Sequence, residues 1–223
     1  MIDLYNNTID IDYMNRIVHI SQRFPEKATE LWDSVSPNQF ISKKELLTTV
    51  LESGILSKDL SVTIIGSWFG SILVPVLAPL VKDIICFDID EEAGHIATQL
   101  HKYDNVIFSK QDLSKQRVKT LQDANDLLVI NTSCEHMDDM IDIMHLQHLN
   151  PKYKQNPRNI WIACQSNNML DIEGHINCVS SMKEFKLQMP MEAKILKEIE
   201  IGEERGIRYF IFGMIPHRKE PNE

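Results

Sequence analysis

Five polar groupings in this chain follow directly on apolar runs, and each is of a kind that handles a polar ligand. The run VTII is closed by Gly66-Ser-Trp-Phe-Gly70, a tight turn leading into an apolar segment. A strand that ends in such a turn and feeds a helix offers backbone N–H groups and a positive dipole end to a ligand. Asp88 closes the next run, about 20 residues further on, where a carboxylate can accept hydrogen bonds from ribose hydroxyls. Asp90 is the second choice for that role, and a solvated acid or a cap on the helix over 91–103 is the other reading of either. Asp112 ends a third run. It can reach the exocyclic amine of an adenine or cap the turn that follows.

The fourth grouping, Asn131-Thr-Ser-Cys-Glu-His136, is the richest in chemistry. Glu135 and His136 can orient a substrate or act as general base, because an imidazole titrates near neutral pH. The alternative is that Ser133 caps a helix with Glu135 in its first turn. Asn131 reads as ligand-facing. Gln165, Asn167 and Asn168 follow the fifth run and, with Ser133, suggest a hydrogen-bonding pocket for a polar substrate. Gly174-His175 reads as a loop over it.

Positioning these groups calls for parallel strands. Residues 62–65, 84–87, 105–113, 127–130 and 160–164 read as short strands, the central ones rich in β-branched residues, as in strands buried on both faces of a parallel sheet. Pro75 and Pro79 interrupt the helical segment after the glycine turn. Residues 114–125 are polar and expected to be helical. Stretches 194–201 and 208–215, joined by a charged glycine-bearing turn, read as an antiparallel hairpin on the sheet edge. Residues 1–58 read as helical: Ile17, Ile20 and Phe24 recur at helical spacing, and Ser42-Lys-Lys-Glu45 matches a capping box for a helix running to about 52, with Gly54 as its stop. This segment is expected to cover one edge of the sheet, with a lid over the cleft as the other reading. The expected organisation is an N-terminal helical extension over 1–58, a Rossmann-like core over 59–216 and a tail over 217–223. That is an α/β protein with a mostly parallel sheet, helices on both faces and a C-terminal hairpin.

A chain of 223 residues fits one such α/β unit. Its net charge of −9 argues against a general grip on a nucleic-acid backbone, so duplex nucleic acid is not the expected partner. No apolar run reaches membrane-spanning length. The four cysteines are scattered and read as reduced thiols of a cytoplasmic protein. Nothing in the sequence speaks to oligomeric state.

Over residues 60–215 the chain resembles the class I S-adenosylmethionine-dependent methyltransferases. IIGSWFGS is similar to that family's glycine loop, FDID to its ribose-binding acid, KQDL to its adenine-contacting acid and VINTSCEHM to its fourth signature strand. The stretch ACQSNNMLDIEGHINCV resembles a group of uncharacterised, often phage-encoded, methyltransferase-like proteins, which would work in a host cytoplasm. The resemblance implies S-adenosylmethionine (SAM) as cofactor, held by Gly66, Ser67, Trp68, Gly70, Asp88, Ile89, Asp112, Asn131 and Thr132. It implies His136, Glu135 and Asn131 as catalytic groups, with Ser133, Gln165, Asn167, Asn168 and His175 facing the methyl acceptor, a small polar or nucleotide-like molecule. The sequence departs from the family pattern at Ile64, where an acid is usual, and at Trp68, where the middle glycine stands. Asn131 is followed by Thr-Ser-Cys rather than Pro-Pro-aromatic, which counts against a DNA adenine methylase. A dinucleotide-type G-x-G-x-x-G is absent.

Other classes compete. A degenerate fold that binds without transferring a methyl group accommodates Ile64 and Trp68, and an enzyme that cleaves SAM is a variant of the same site. Cys134, His136, Cys164, His175 and Cys178 supply metal-binding side chains, but their spacing matches no standard zinc pattern and the cysteines read as core. No metal is expected on those grounds.

Overall fold

The computed structural model describes residues 2–4, 8–118, 126–147, 149 and 159–216. A short antiparallel pair, β1 (Ile2–Asp3) and β2 (Thr8–Ile9), precedes the helices α1 (Ile11–Arg23), α2 (Ala28–Asp33) and α3 (Pro37–Glu52). The sheet strands are β3 (Leu60–Ile65), β4 (Asp83–Asp88), β5 (Val106–Lys110), β6 (Asp126–Asn131), β7 (Asn159–Asn167), β8 (Lys194–Glu203) and β9 (Gly206–Pro216). Between them lie α4 (Leu73–Leu77), α5 (Glu91–Leu100), α6 (Met140–Leu146) and α7 (Met182–Leu187).

The sheet order is β5-β4-β3-β6-β7-β9-β8. Strands β5, β4, β3, β6 and β7 run parallel, and β9 and β8 close the edge as an antiparallel hairpin. The chain moves outward from β3 to β5 and then returns to start β6 on the other side of β3. The strand ends between β3 and β6 are therefore the topological switch point, where open α/β sheets keep their ligand crevice.

Alternating side chains build a core on each face, as the period of a strand requires. Val62, Ile64, Leu128, Ile130, Phe210 and Phe212 face one cluster, which α1–α5 cover. Leu127, Val129, Ile160, Ile162, Tyr209 and Ile211 face the other, under α6 and α7. The N-terminal helices belong to the first cluster through the buried Tyr13, Ile17, Leu31, Leu46, Leu47 and Val50. Polar ties fix their position. The Tyr13 hydroxyl donates to the Ser71 carbonyl at 2.7 Å, and Arg16 Nη1 donates to the Leu100 carbonyl at 3.3 Å.

Three local expectations are corrected. Helix α3 starts at Pro37 with Ser36 as its cap, the Ser36 hydroxyl accepting from the Gln39 N–H at 3.5 Å, because proline is preorganised for a first helical position. Ser42 consequently lies inside the helix, where its hydroxyl donates to the Gln39 carbonyl at 3.1 Å. Residues 114–118 form a turn and coil rather than a helix, and 119–125 lie outside the described residues, as does the tail over 217–223. Strand β7 runs on to Asn167, so Gln165, Ser166 and Asn167 pair with Phe210, Tyr209 and Arg208 instead of opening a loop.

Candidate functional site

At the switch point the ends of β3, β4 and β6 open onto a cleft of about 880 Å³, a size suited to a ligand as large as a nucleoside derivative. Its floor is the turn after β3. Gly66, Trp68 and Gly70 all have positive φ, at +61°, +48° and +62°. A Cβ on Gly66 would lie 2.9 Å from Ser133 Cβ, and one on Gly70 would lie 2.7 Å from Val74 Cγ2. The two glycines are therefore demanded by backbone conformation and by packing. Trp68 holds the same strained conformation with a side chain, which costs a non-glycine residue about 1–3 kcal/mol. Its ring packs against Phe69 with centroids 5.0 Å apart.

Asp88, half-buried at the end of β4, ties this turn down. Oδ2 accepts the Trp68 N–H at 2.7 Å and Oδ1 accepts the Asp90 N–H at 2.9 Å. Each carboxylate oxygen keeps a further lone pair, and Asp88 and Ile89 both line the cleft. Asp90 has a different job: its Oδ1 caps α5 through the Glu92 and Ala93 N–H groups, and its Oδ2 pairs with Lys27 at 3.1 Å. Asp112 also lines the cleft. Burial raises its pKa, but hydrogen bonds from the Ser114 hydroxyl and Lys115 outweigh this and leave it below the ordinary carboxylate value.

The segment after β6 supplies the opposite wall. Thr132, Ser133, Glu135 and His136 line it, the last two from a single 3₁₀ turn, Cys134–His136. Glu135 is 3% exposed. Its Oε1 accepts from Asn167 Nδ2 at 2.7 Å and from Arg208 Nη1 at 3.4 Å. Arg208 also donates from Nε to Glu203 at 2.7 Å. The Glu135 main-chain carbonyl accepts from the Ile176 and Asn177 N–H groups, both at 2.9 Å, which clamps the 174–177 loop to this turn. That clamp brings His175 against His136, the ring centroids 4.6 Å apart and the planes at 89°. Burial lowers the pKa of His175, with Glu135 pulling the other way.

Four of the expected site residues stand behind the wall rather than on it. Asn131 is fully buried, its Oδ1 accepting the Ser133 N–H and its Nδ2 lying 3.2 and 3.1 Å from the Met137 and Met140 sulfurs. Gln165 donates to the Ser42 carbonyl at 2.8 Å and thereby ties β7 to α3. Asn167 holds Glu135, and Asn168 accepts the Ile207 N–H at 2.8 Å. None of these four is among the residues that line the cleft, and each has at least one polar atom bonded to the protein, although the buried Gln165 Oε1 has no hydrogen-bond partner. Gly66, Ser67, Trp68, Gly70, Asp88, Ile89, Asp112, Thr132, Ser133, Glu135, His136 and His175 do meet at the cleft. The cysteines divide. Cys134 and Cys164 are buried in the second core cluster, while Cys178 Sγ lies 3.5 Å from His175 Nδ1.

Sequence reasoning missed Asp33, Lys43 and Arg208, all of which reach the cleft. The N-terminal helices are thus more than an edge cover. Lys43 donates to Gln39 Oε1 at 2.9 Å. Lys43 is half-buried and lines the cleft. Burial lowers its pKa to about 7, with the Arg208 charge adding to the effect and Glu135 opposing it. A visible signal existed for both cations: Lys43 falls on the apolar stripe of α3, and Arg208 falls in register with Phe210 and Phe212.

No protein-family model and no curated protein sequence matches the chain. Solved structures do. The N-methyltransferase NodS from Bradyrhizobium japonicum WM9, crystallised with S-adenosyl-L-homocysteine, superposes with a TM-score of 0.62 at 16% identity, covering 81% of this chain and 89% of that one. The YcgJ protein from Bacillus subtilis gives 0.60 at 10% identity over 78% of this chain and 99% of that one. A SAM-dependent methyltransferase from Aquifex aeolicus gives 0.55 at 17% identity over 76% and 89%. At these identities the likeness is one of fold. The mostly parallel Rossmann-like sheet and its antiparallel hairpin are the fold that this chain shares with these structures.

Proposed function

We propose that this chain is an enzyme that binds SAM in the cleft and moves its methyl group to a small polar or nucleotide-like acceptor. The observation that carries the reading is Asp88. It sits at the end of β4, bound to the backbone of the turn after β3, and still offers lone pairs to the cleft. Structural neighbours carry S-adenosyl-L-homocysteine (SAH) in the same fold. Assigning the chain to the phage-encoded group rests on residues 163–179 alone.

The residues present fit the cofactor. Asp88 would accept the ribose hydroxyls, with Ile89 beside it, and Asp112 would accept the adenine amine. The Gly66–Gly70 turn, with Ser67 and Trp68, and Thr132 would enclose the remainder. Ile64 is buried in the first core cluster and cannot supply the acid usual at that position. Asp33 and Lys43, a pair of opposite charge on the N-terminal wall, suit the ammonium and carboxylate of an amino-acid tail. When bound, SAM supplies an electrophilic methyl on a sulfonium. The chain's own task is then alignment and exclusion of water. Ser133 and His175 would face the acceptor, and His136 or Glu135 would take a proton only from a nucleophile that must lose one.

The test is calorimetric titration of SAM and SAH into wild type and Asp88→Ala. Micromolar binding, about 8 kcal/mol, is expected for wild type and its loss in the variant. A folded wild type that binds neither would overturn the reading and leave a degenerate binding fold, for which Trp68 at φ +48° in place of glycine is the supporting feature.

A further inference from the structure

We infer that Glu135, His136 and His175 form a binding site for a divalent first-row transition ion on the acceptor wall of the cleft. Two imidazoles and a carboxylate are a ligand set that zinc and iron(II) both accept, with positions left open for other ligands. One nitrogen from each ring and one Glu135 oxygen lie within 4.8 Å of one another. Bonds of 2.0–2.1 Å to a tetrahedral ion place ligand atoms about 3.3 Å apart. The set would therefore close by up to about 1.5 Å, within reach of the exposed His136.

Two further observations point to an ion. Each imidazole already has its Nδ1 within hydrogen-bond distance of a main-chain carbonyl, His136 to Gly174 at 3.0 Å and His175 to Met169 at 3.1 Å. This is the orienting arrangement of metal-ligating histidines. With Nδ1 donating to that carbonyl, Nε2 of each ring is left as a free lone pair. Glu135 supplies the second observation. Arg208 and Asn167 both engage Oε1, while the buried Oε2 has no hydrogen-bond partner. A buried carboxylate oxygen without a partner demands an explanation, and a cation supplies one. All three residues line the cleft, so a bound ion would present its open positions to an oxygen or sulfur group entering there.

The sequence concealed this set. Cysteine spacing drew attention to Cys134 and Cys164, which the fold buries in the core, whereas the carboxylate that completes the set is adjacent to His136 in the chain. Asn167 and Arg208 are positioning residues for Glu135.

The test is titration of cobalt(II) into the full, chelator-treated chain, followed by visible absorption, with zinc competition to confirm a shared site. One equivalent per chain is expected, without a thiolate charge-transfer band. Glu135→Gln, His136→Ala and His175→Ala should each weaken cobalt binding at least tenfold, while His145→Ala on α6 leaves it unchanged. Glu135→Gln keeps an oxygen for Asn167 and Arg208, and circular dichroism verifies the fold of every variant. No stoichiometric binding would overturn the site. So would a thiolate band, or affinity indifferent to the three substitutions. A chain that binds SAH and no cobalt would refute the ion site and leave the methyl-transfer reading standing.

Discussion

Arg208→Met is the substitution that most directly probes how the cleft is held together. The Arg208 side chain is 11% exposed and lies between Glu203, 10% exposed and 2.7 Å from Nε, and Glu135, 5% exposed and 3.4 Å from Nη1. Methionine roughly fills the volume but leaves two enclosed carboxylates without their cation. Breaking a buried pair from one side costs about 3–5 kcal/mol, because the remaining charge is uncompensated. For a chain of this length that lowers Tm by roughly 6–20 °C. Urea unfolding at pH 7 reads the loss. Adding Glu203→Gln to the variant should recover part of the stability at pH 7. A deficit below about 1 kcal/mol would show that Arg208 is held by solvent rather than by the two acids.

Two further outcomes follow from buried groups. His101 has its Nε2 2.9 Å from the Phe69 carbonyl, and burial lowers its pKa from 6.5 to about 4. The unfolded chain therefore binds the proton first as pH falls through that window, so wild type should lose about 3 kcal/mol more than His101→Asn between pH 6.5 and 4. Parallel pH–stability curves for the two proteins would refute this. Gly54 and Gly66 both have positive φ, yet a Cβ on Gly54 meets nothing within 4 Å while one on Gly66 meets Ser133. Gly54→Ala should cost about 1 kcal/mol of backbone strain, and Gly66→Ala a further 1–3 kcal/mol of overpacking. Equal urea midpoints would remove the packing argument.

The central strands were legible because they are apolar on both faces. Ile84 and Cys86 face one core cluster and Phe87 the other, so the run reads as a buried strand without knowledge of its neighbours. The same logic failed where polar side chains continue a strand. Gln165 and Asn167 look like a loop until their partners are known, and those partners, Ser42 and Glu135, are distant in sequence. Polar satisfaction is a tertiary property, and no local pattern reports it. The Ser42 capping box failed for a different reason: Ser36-Pro37 upstream is a stronger start, and a helix already begun does not restart.

The residues that break local rules converge on one place. Lys43 stands one turn before Leu46 and Leu47 and two before Val50, on the stripe of α3 that fills the core. Arg208 stands at the mouth of an apolar strand, and Glu135 is an acid buried to 3% exposure. Removing one of these charges alone strands its partners, but replacing a whole buried ion pair with packed hydrophobic side chains is often stabilising, so stability does not demand the set. The three charges instead meet at the cleft, where Arg208 and Glu135 act on Lys43 in opposite directions. Conflicts between local pattern and observed residue are expected where function, rather than stability, sets the choice. Their convergence on the wall opposite Asp88 divides the cleft by task. The Asp88 side is built from strand ends and a backbone turn, which suits a ligand of fixed shape. The Glu135 side is built from ionisable side chains drawn from α3, the turn after β6, the 174–177 loop and β9, and it is there that proton or ion chemistry would be set.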